Sequence, residues 1–72
     1  GGEKINLLQV KEVLSSHEAI NSININIYKS KKWGQAIEVD IQLNQDEEAF
    51  DLKDWCKDKL PKYSIPKRIK FI

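Results

Sequence analysis

Between Ser22 and Leu43 the chain alternates apolar and polar residues twice over, and that pattern leaves few folds open. Ile23, Ile25 and Ile27 alternate with Asn24, Asn26 and Tyr28. After Lys29-Ser30-Lys31-Lys32-Trp33-Gly34-Gln35, a second run sets Ile37, Val39, Ile41 and Leu43 against Glu38, Asp40 and Gln42. A period of two describes a strand with one buried face. The seven-residue connection is polar, basic and contains Gly34, so the two strands are expected to turn back on each other as an antiparallel pair. The remaining residues must then cover the Ile/Val face of that pair.

The segments on either side are suited to that task. Asn6 is placed as a helix N-cap, with Gln9 three residues later to complete a capping box and Ile5 positioned to staple onto Val10. Leu7, Val10, Val13, Leu14 and His17 fall on one face of a helix predicted from Leu7 to Ser16, with Lys11, Glu12 and Ser15 opposite. His17 closes that helix where its dipole favours a histidine, and no Ser, Cys or Asp stands at a spacing that makes it catalytic. The run Asn44-Gln45-Asp46-Glu47-Glu48 reads as a solvated loop, since unspaced carboxylates without a glycine turn do not form a calcium loop.

A second helix starts at Asp51 as N-cap, with Phe50 set to staple onto Trp55 and Leu52, Trp55, Cys56 and Leu60 as its buried face; Pro61 is expected to end it. Two prolines then predict an extended segment from Pro61 to Pro66. Ile69 and Phe71 alternate with Arg68 and Lys70, which predicts a third short strand. The order is α-β-β-α-β, an α+β fold with helices packed on a small three-stranded sheet.

A chain of 72 residues makes one domain, residues 1–72, and a small one. At that size only roughly 60% of the unfolded surface is buried, so stability rests on local features agreeing with one core. The single cysteine, Cys56, excludes an internal disulfide, suits a reducing, cytoplasmic setting, and reads as a small core hydrophobe rather than a nucleophile. No apolar run approaches the ~18 residues of a spanning helix, so no membrane partner is expected. The net charge of +1, with 32% of residues charged, confines any electrostatic recognition to local patches.

The local patches are basic and aromatic. Lys29, Lys31 and Lys32 precede Trp33, and Lys62, Lys67, Arg68 and Lys70 surround Tyr63. Cations beside an exposed ring hold phosphorylated, base-containing ligands by charge and stacking, the physics of single-strand nucleic-acid binders and nucleotide cofactor sites alike. The same lysines equally serve to keep strand edges soluble and unpaired. No glycine-rich phosphate loop, spaced carboxylate pair or Ser/His/Asp set is present, so the chain carries no catalytic constellation of its own.

Four blocks in register carry a further reading: Gly1-Gly2-Glu3-Lys4-Ile5-Asn6, Ser15-Ser16-His17, Lys32-Trp33-Gly34-Gln35-Ala36, and Leu60-Pro61-Lys62-Tyr63-Ser64-Ile65-Pro66-Lys67-Arg68-Ile69. Nearly end to end, the chain resembles the small C-terminal domain of the adenylate-forming superfamily, which includes acyl-CoA synthetases, adenylation domains of peptide synthetases and luciferases. The resemblance implies a lid that works with an N-terminal adenylation domain of the same chain. That larger domain uses ATP and Mg to make an acyl-adenylate; the lid then rotates so that the thiol of CoA, or of a carrier phosphopantetheine, attacks.

By the same resemblance, the loop Gly1, Gly2, Glu3 and Lys4 lines the pantetheine channel, and Trp33, Tyr63, Lys67 and Arg68 lie toward the CoA nucleotide. The family's catalytic lysine is expected beyond Ile72 and its hinge before Gly1, which makes residues 1–72 folded but inactive alone, with Gly1-Gly2 disordered. The Gly-Gly-Glu-Lys opening points to the CoA-ligase branch. Leu7 and Gln9-Val10-Lys11 depart from the family pattern, and so does Asn26-Ile27-Tyr28-Lys29, where loss of a Gly and a Pro implies a longer first strand. Two alternatives remain open at this level: loading of a carrier protein, and a non-catalytic α+β module that binds protein or, less favoured, nucleic acid through Lys29–Trp33 and Tyr63–Lys70.

Overall fold

The computed structural model describes residues 4–72, so the expectations for Gly1, Gly2 and Glu3 lie outside the described residues. The elements run α1 (Leu7–Ser15), β1 (Ile20–Ser30), β2 (Gly34–Leu43), α2 (Leu52–Cys56), a 3-10 turn (Lys62–Ser64) and β3 (Arg68–Phe71). The expected α-β-β-α-β order holds. The sheet order is β1-β2-β3, with β1 and β2 antiparallel and β2 and β3 parallel. A parallel neighbour needs a crossover, and the segment carrying α2 supplies it.

β2 is the central strand, and its apolar face is the most completely covered. Ile37 and Ile41 are fully buried and Val39 nearly so, against Val10 and Leu14 of α1, Leu52 and Cys56 of α2, and Leu60. The N-cap bond forms at both helix starts: Asn6 Oδ1 accepts the Gln9 N–H at 3.1 Å, and Asp51 Oδ1 accepts the Asp54 N–H at 3.1 Å.

Several local expectations are corrected. The hairpin connection is three residues, Lys31–Trp33, because Ser30 already pairs with Gly34. Gly34 takes φ 80°, and Ser30 Oγ accepts the Trp33 N–H, so a left-handed glycine and a side-chain bond tighten a turn that composition alone left long. α2 ends at Cys56, with Lys57 as its cap, before Pro61 is reached. Pro61 instead starts the 3-10 turn, where an extended segment was expected, because the Pro61 and Lys62 carbonyls accept the Ser64 and Ile65 N–H groups.

The Ile face of β1 is only partly covered. Ile23 and Ile25 are half-buried and Ile27 is 39% exposed, since β1 is an edge strand and the buried core centres on the β2 side chains. Leu7, assigned to the buried face of α1, is 42% exposed. Phe50 finds a different partner from the expected Trp55: its ring stacks on His17 at 4.2 Å, while Trp55 meets His17 edge-on at 4.7 Å. His17 lies past the end of α1, and its Nδ1 accepts the Ala19 N–H at 3.0 Å. It is a packing residue between two aromatic rings rather than the closing residue of the helix.

Candidate functional site

Two aromatic-cation pairs form at the end of the sheet near the hairpin turn, and they divide the sequence-predicted residues between them. In the first, Lys67 Nζ stands 4.2 Å from the Trp33 ring centroid and Lys32 Nζ 5.4 Å from it. The turn geometry at Ser30 and Gly34 holds Trp33. Lys67 is fixed from its own side: its backbone N–H donates to Ile37 O at 2.9 Å, Pro66 before it is buried, and its Nζ donates to Lys62 O at 2.6 Å. Two segments distant in sequence therefore place two amines beside one half-buried indole.

The electrostatics of that pair favour an anion. Burial pushes the Lys67 amine below the ordinary lysine range, and the charges of Lys53, Lys62 and Lys32 push it the same way. An anionic group seated among these amines relieves their mutual repulsion, and a planar base gains by stacking on the indole.

In the second pair, the Arg68 guanidinium lies 3.9 Å from the Tyr28 centroid and 3.5 Å from Glu38 Oε1. The register sets Glu38 beside Arg68 and Tyr28 beside Ala36, so Tyr28, Ala36, Glu38 and Arg68 share the polar face of the sheet. Arg68 is thus engaged with Tyr28 and Glu38, whereas Lys67 is engaged with Trp33. Tyr63 is half-buried in the 3-10 turn between Lys62 and Ser64. Lys4 is exposed ahead of α1, with the rest of its loop outside the described residues.

Sequence reading alone did not single out Lys53, Tyr28 or Glu38. The alternation pattern puts Tyr28 and Glu38 on the polar face, but only the strand register brings them to Arg68. Lys53 reaches the lysine group from α2, a proximity with no local signal.

Among the described residues, no other group is arranged for chemistry. Among the described residues, no cluster of three His, Cys, Asp or Glu could hold a metal. Cys56 is fully buried, and burial pushes its thiol up to about 11, with Lys59 offsetting part of the effect. It is protonated at neutral pH and unsuited to nucleophilic attack.

No protein-family model matches the chain. Individual proteins do. The chain is 38% identical over 66 residues to 2-succinylbenzoate–CoA ligase of Bacillus subtilis, covering 92% of this chain and 14% of that one. It is 26% identical over 76 residues to probable acyl-activating enzyme 5, peroxisomal, of Arabidopsis thaliana. The chain spans about one seventh of the length of these relatives, 14% in each case.

Among solved structures, o-succinylbenzoate CoA synthetase of Bacillus subtilis, in complex with the acyl-adenylate intermediate OSB-AMP, superposes over the whole chain with a TM-score of 0.84 and 35% identity, using 15% of its own length. An acyl-CoA synthetase of Brucella canis shares the fold, with a TM-score of 0.83 at 20% identity. Fold and sequence together class this chain with the C-terminal domains of the adenylate-forming enzymes. Within that class, it is similar to the corresponding part of the 2-succinylbenzoate–CoA ligases.

Proposed function

We propose that residues 1–72 form the lid domain of an AMP-forming acid–CoA ligase, and that the Trp33–Lys67 pair with Lys32 receives the phosphorylated nucleotide end of CoA. The observation that carries this reading is the half-buried indole with two amines beside its ring, in a domain whose relatives are CoA ligases. The indole offers a stacking surface for adenine, and Lys32, Lys62 and Lys67 offer charge for phosphate. CoA is favoured over a carrier protein as acceptor because its free nucleotide matches both elements, whereas a carrier presents a pantetheine arm and a protein surface.

In the proposed enzyme, an N-terminal adenylation domain of the same chain binds ATP with Mg and the carboxylic acid, a division of labour consistent with a relative's structure solved with ATP and magnesium. Gly1, Gly2, Glu3 and Lys4 line the pantetheine path in this reading, since glycine backbone permits close approach to a thin chain. No helix of the described residues is long and apolar enough to cross a membrane, and a lone buried thiol fits a reducing cytoplasm.

The test is made on the protein that contains this chain together with its adenylation domain. Pyrophosphate release with a carboxylic acid, followed by thioester formation with CoA, is the expected result. Thioester formation only on a phosphopantetheinylated carrier would replace CoA as acceptor. Failure to form an acyl-adenylate from any carboxylate would remove the ligase reading and leave a binding module.

A further inference from the structure

The two edges of the sheet are built differently. β3 is four residues long, follows buried Pro66, and carries Arg68 and Lys70 with Lys67 just ahead of it. Shortness, a proline and lysine-type charges are the devices that keep an edge from pairing with another chain. β1 forms the opposite edge over 11 residues, Ile20–Ser30, and from Ile20 to Tyr28 it has no charged residue and no proline. Its single irregularity, between Ile20 and Ser22, lies at one end and leaves the rest of the ladder regular. Its apolar side chains are also incompletely covered: Ile23 and Ile25 are half-buried and Ile27 is 39% exposed.

Among the described residues no strand pairs with the outer edge of β1, so it presents a row of backbone donors and acceptors flanked by isoleucines still open to solvent. The occupant that fits is set by the strand's own sequence. Folding Ile20–Ser30 back on itself about Ile25 puts Ile25 opposite Ile25, Asn24 opposite Asn26, Ile23 opposite Ile27, Ser22 opposite Tyr28 and Asn21 opposite Lys29. Apolar residues meet apolar ones on one face, amides meet amides on the other, and no two like charges face each other. Such self-complementarity is what a two-fold interface requires.

We propose that the free edge of β1 is a self-recognition surface, on which a second copy of this chain pairs antiparallel about Ile25 to make a continuous six-stranded sheet. The proposal is independent of the ligase reading. A single paired edge falls below the ~1,200 Å² of a standard interface, so association is expected to be weak and reversible.

Sedimentation of the protein that contains this chain, from micromolar to millimolar concentration, tests it, with a monomer–dimer equilibrium expected. Ile27→Lys is the discriminating variant. Ile27 is exposed in the single copy, so the fold tolerates the change, which circular dichroism verifies. In the dimer the change sets two lysines against the partner's Ile23 side chains, and association is expected to weaken at least tenfold. Register is read by oxidative cross-linking, with Cys56 buried and silent. A mixture of Asn24→Cys and Asn26→Cys chains is expected to form mixed disulfides faster than either variant alone. A chain that stays monomeric at 1 mM, whether its edge remains bare or takes a strand of another protein, overturns the proposal. So does a dimer indifferent to Ile27→Lys, or cross-linking of Asn24→Cys with itself as fast as the mixture.

Discussion

Lys67 Nζ sits 4.2 Å from the centre of the Trp33 ring, joining the hairpin turn to the segment that follows Pro66. The contact makes one surface out of two basic stretches that are far apart in the sequence. It also fixes where an anion would enter, beside an indole face already bordered by amines.

If that surface takes a nucleotide, Trp33→Ala is expected to weaken CoA binding by roughly 5- to 150-fold, since stacking of a base on an aromatic ring contributes ~1–3 kcal/mol. Titration of CoA against pantetheine in the full enzyme checks this: pantetheine lacks the nucleotide, and its affinity is expected not to change.

Binding of the phosphorylated ligand is expected to fail with rising pH earlier than an ordinary lysine predicts. The Lys67 amine is held below the usual range by burial and by Lys53, Lys62 and Lys32, so it loses its charge at a lower pH. Lys67→Arg, whose charge persists through this range, is expected to move the alkaline limb of the binding profile upward.

The thiol of Cys56 gives a sign that can be worked out. In the unfolded chain it ionises near the ordinary thiol value of 9.0, while in the fold it holds its proton to about 11. Its contribution to stability is therefore fully present below pH 9.0 and is lost as pH rises through 11. Urea titrations at a series of pH values are expected to show a steeper alkaline fall for the native chain than for Cys56→Ala, the difference isolating this group from the lysines. At neutral pH a thiol reagent is expected to react only as the chain unfolds.

Gly34→Ala is expected to cost about 1 kcal/mol or more. No atom lies within 4 Å of the added Cβ, but φ 80° is a region that alanine resists. Denaturant unfolding measures the loss. If Trp33 receives the nucleotide of CoA, the same change is expected to loosen it and lower CoA affinity.

Asn6→Ala removes the acceptor of the Gln9 N–H and is expected to destabilise the chain by roughly 0.5–2 kcal/mol. Faster amide exchange confined to the first turn of α1, with the β2 amides remaining protected, would locate the effect.

The strands, the two helix starts and the α-β-β-α-β order were legible in the sequence because each rests on neighbours within a few residues. Alternation at Ile37, Val39 and Ile41 needs only the pleat, and Asn6 and Asp51 cap helices through bonds that span three residues. The four sequence blocks likewise carried the resemblance to the adenylate-forming enzymes, which the relatives support.

The tertiary structure decided what depends on distance across the fold. Nothing local says that Lys67 turns to Trp33 while Arg68, the next residue, turns to Tyr28 and Glu38, because those partners are fixed by the parallel pairing of β3 with β2. Nor does the Ile/Asn alternation of β1 say that Ile27 stays exposed. That follows from β1 lying at the edge while the buried core centres on the β2 side chains, and the burial of a strand face is settled by what packs on it rather than by its own pattern.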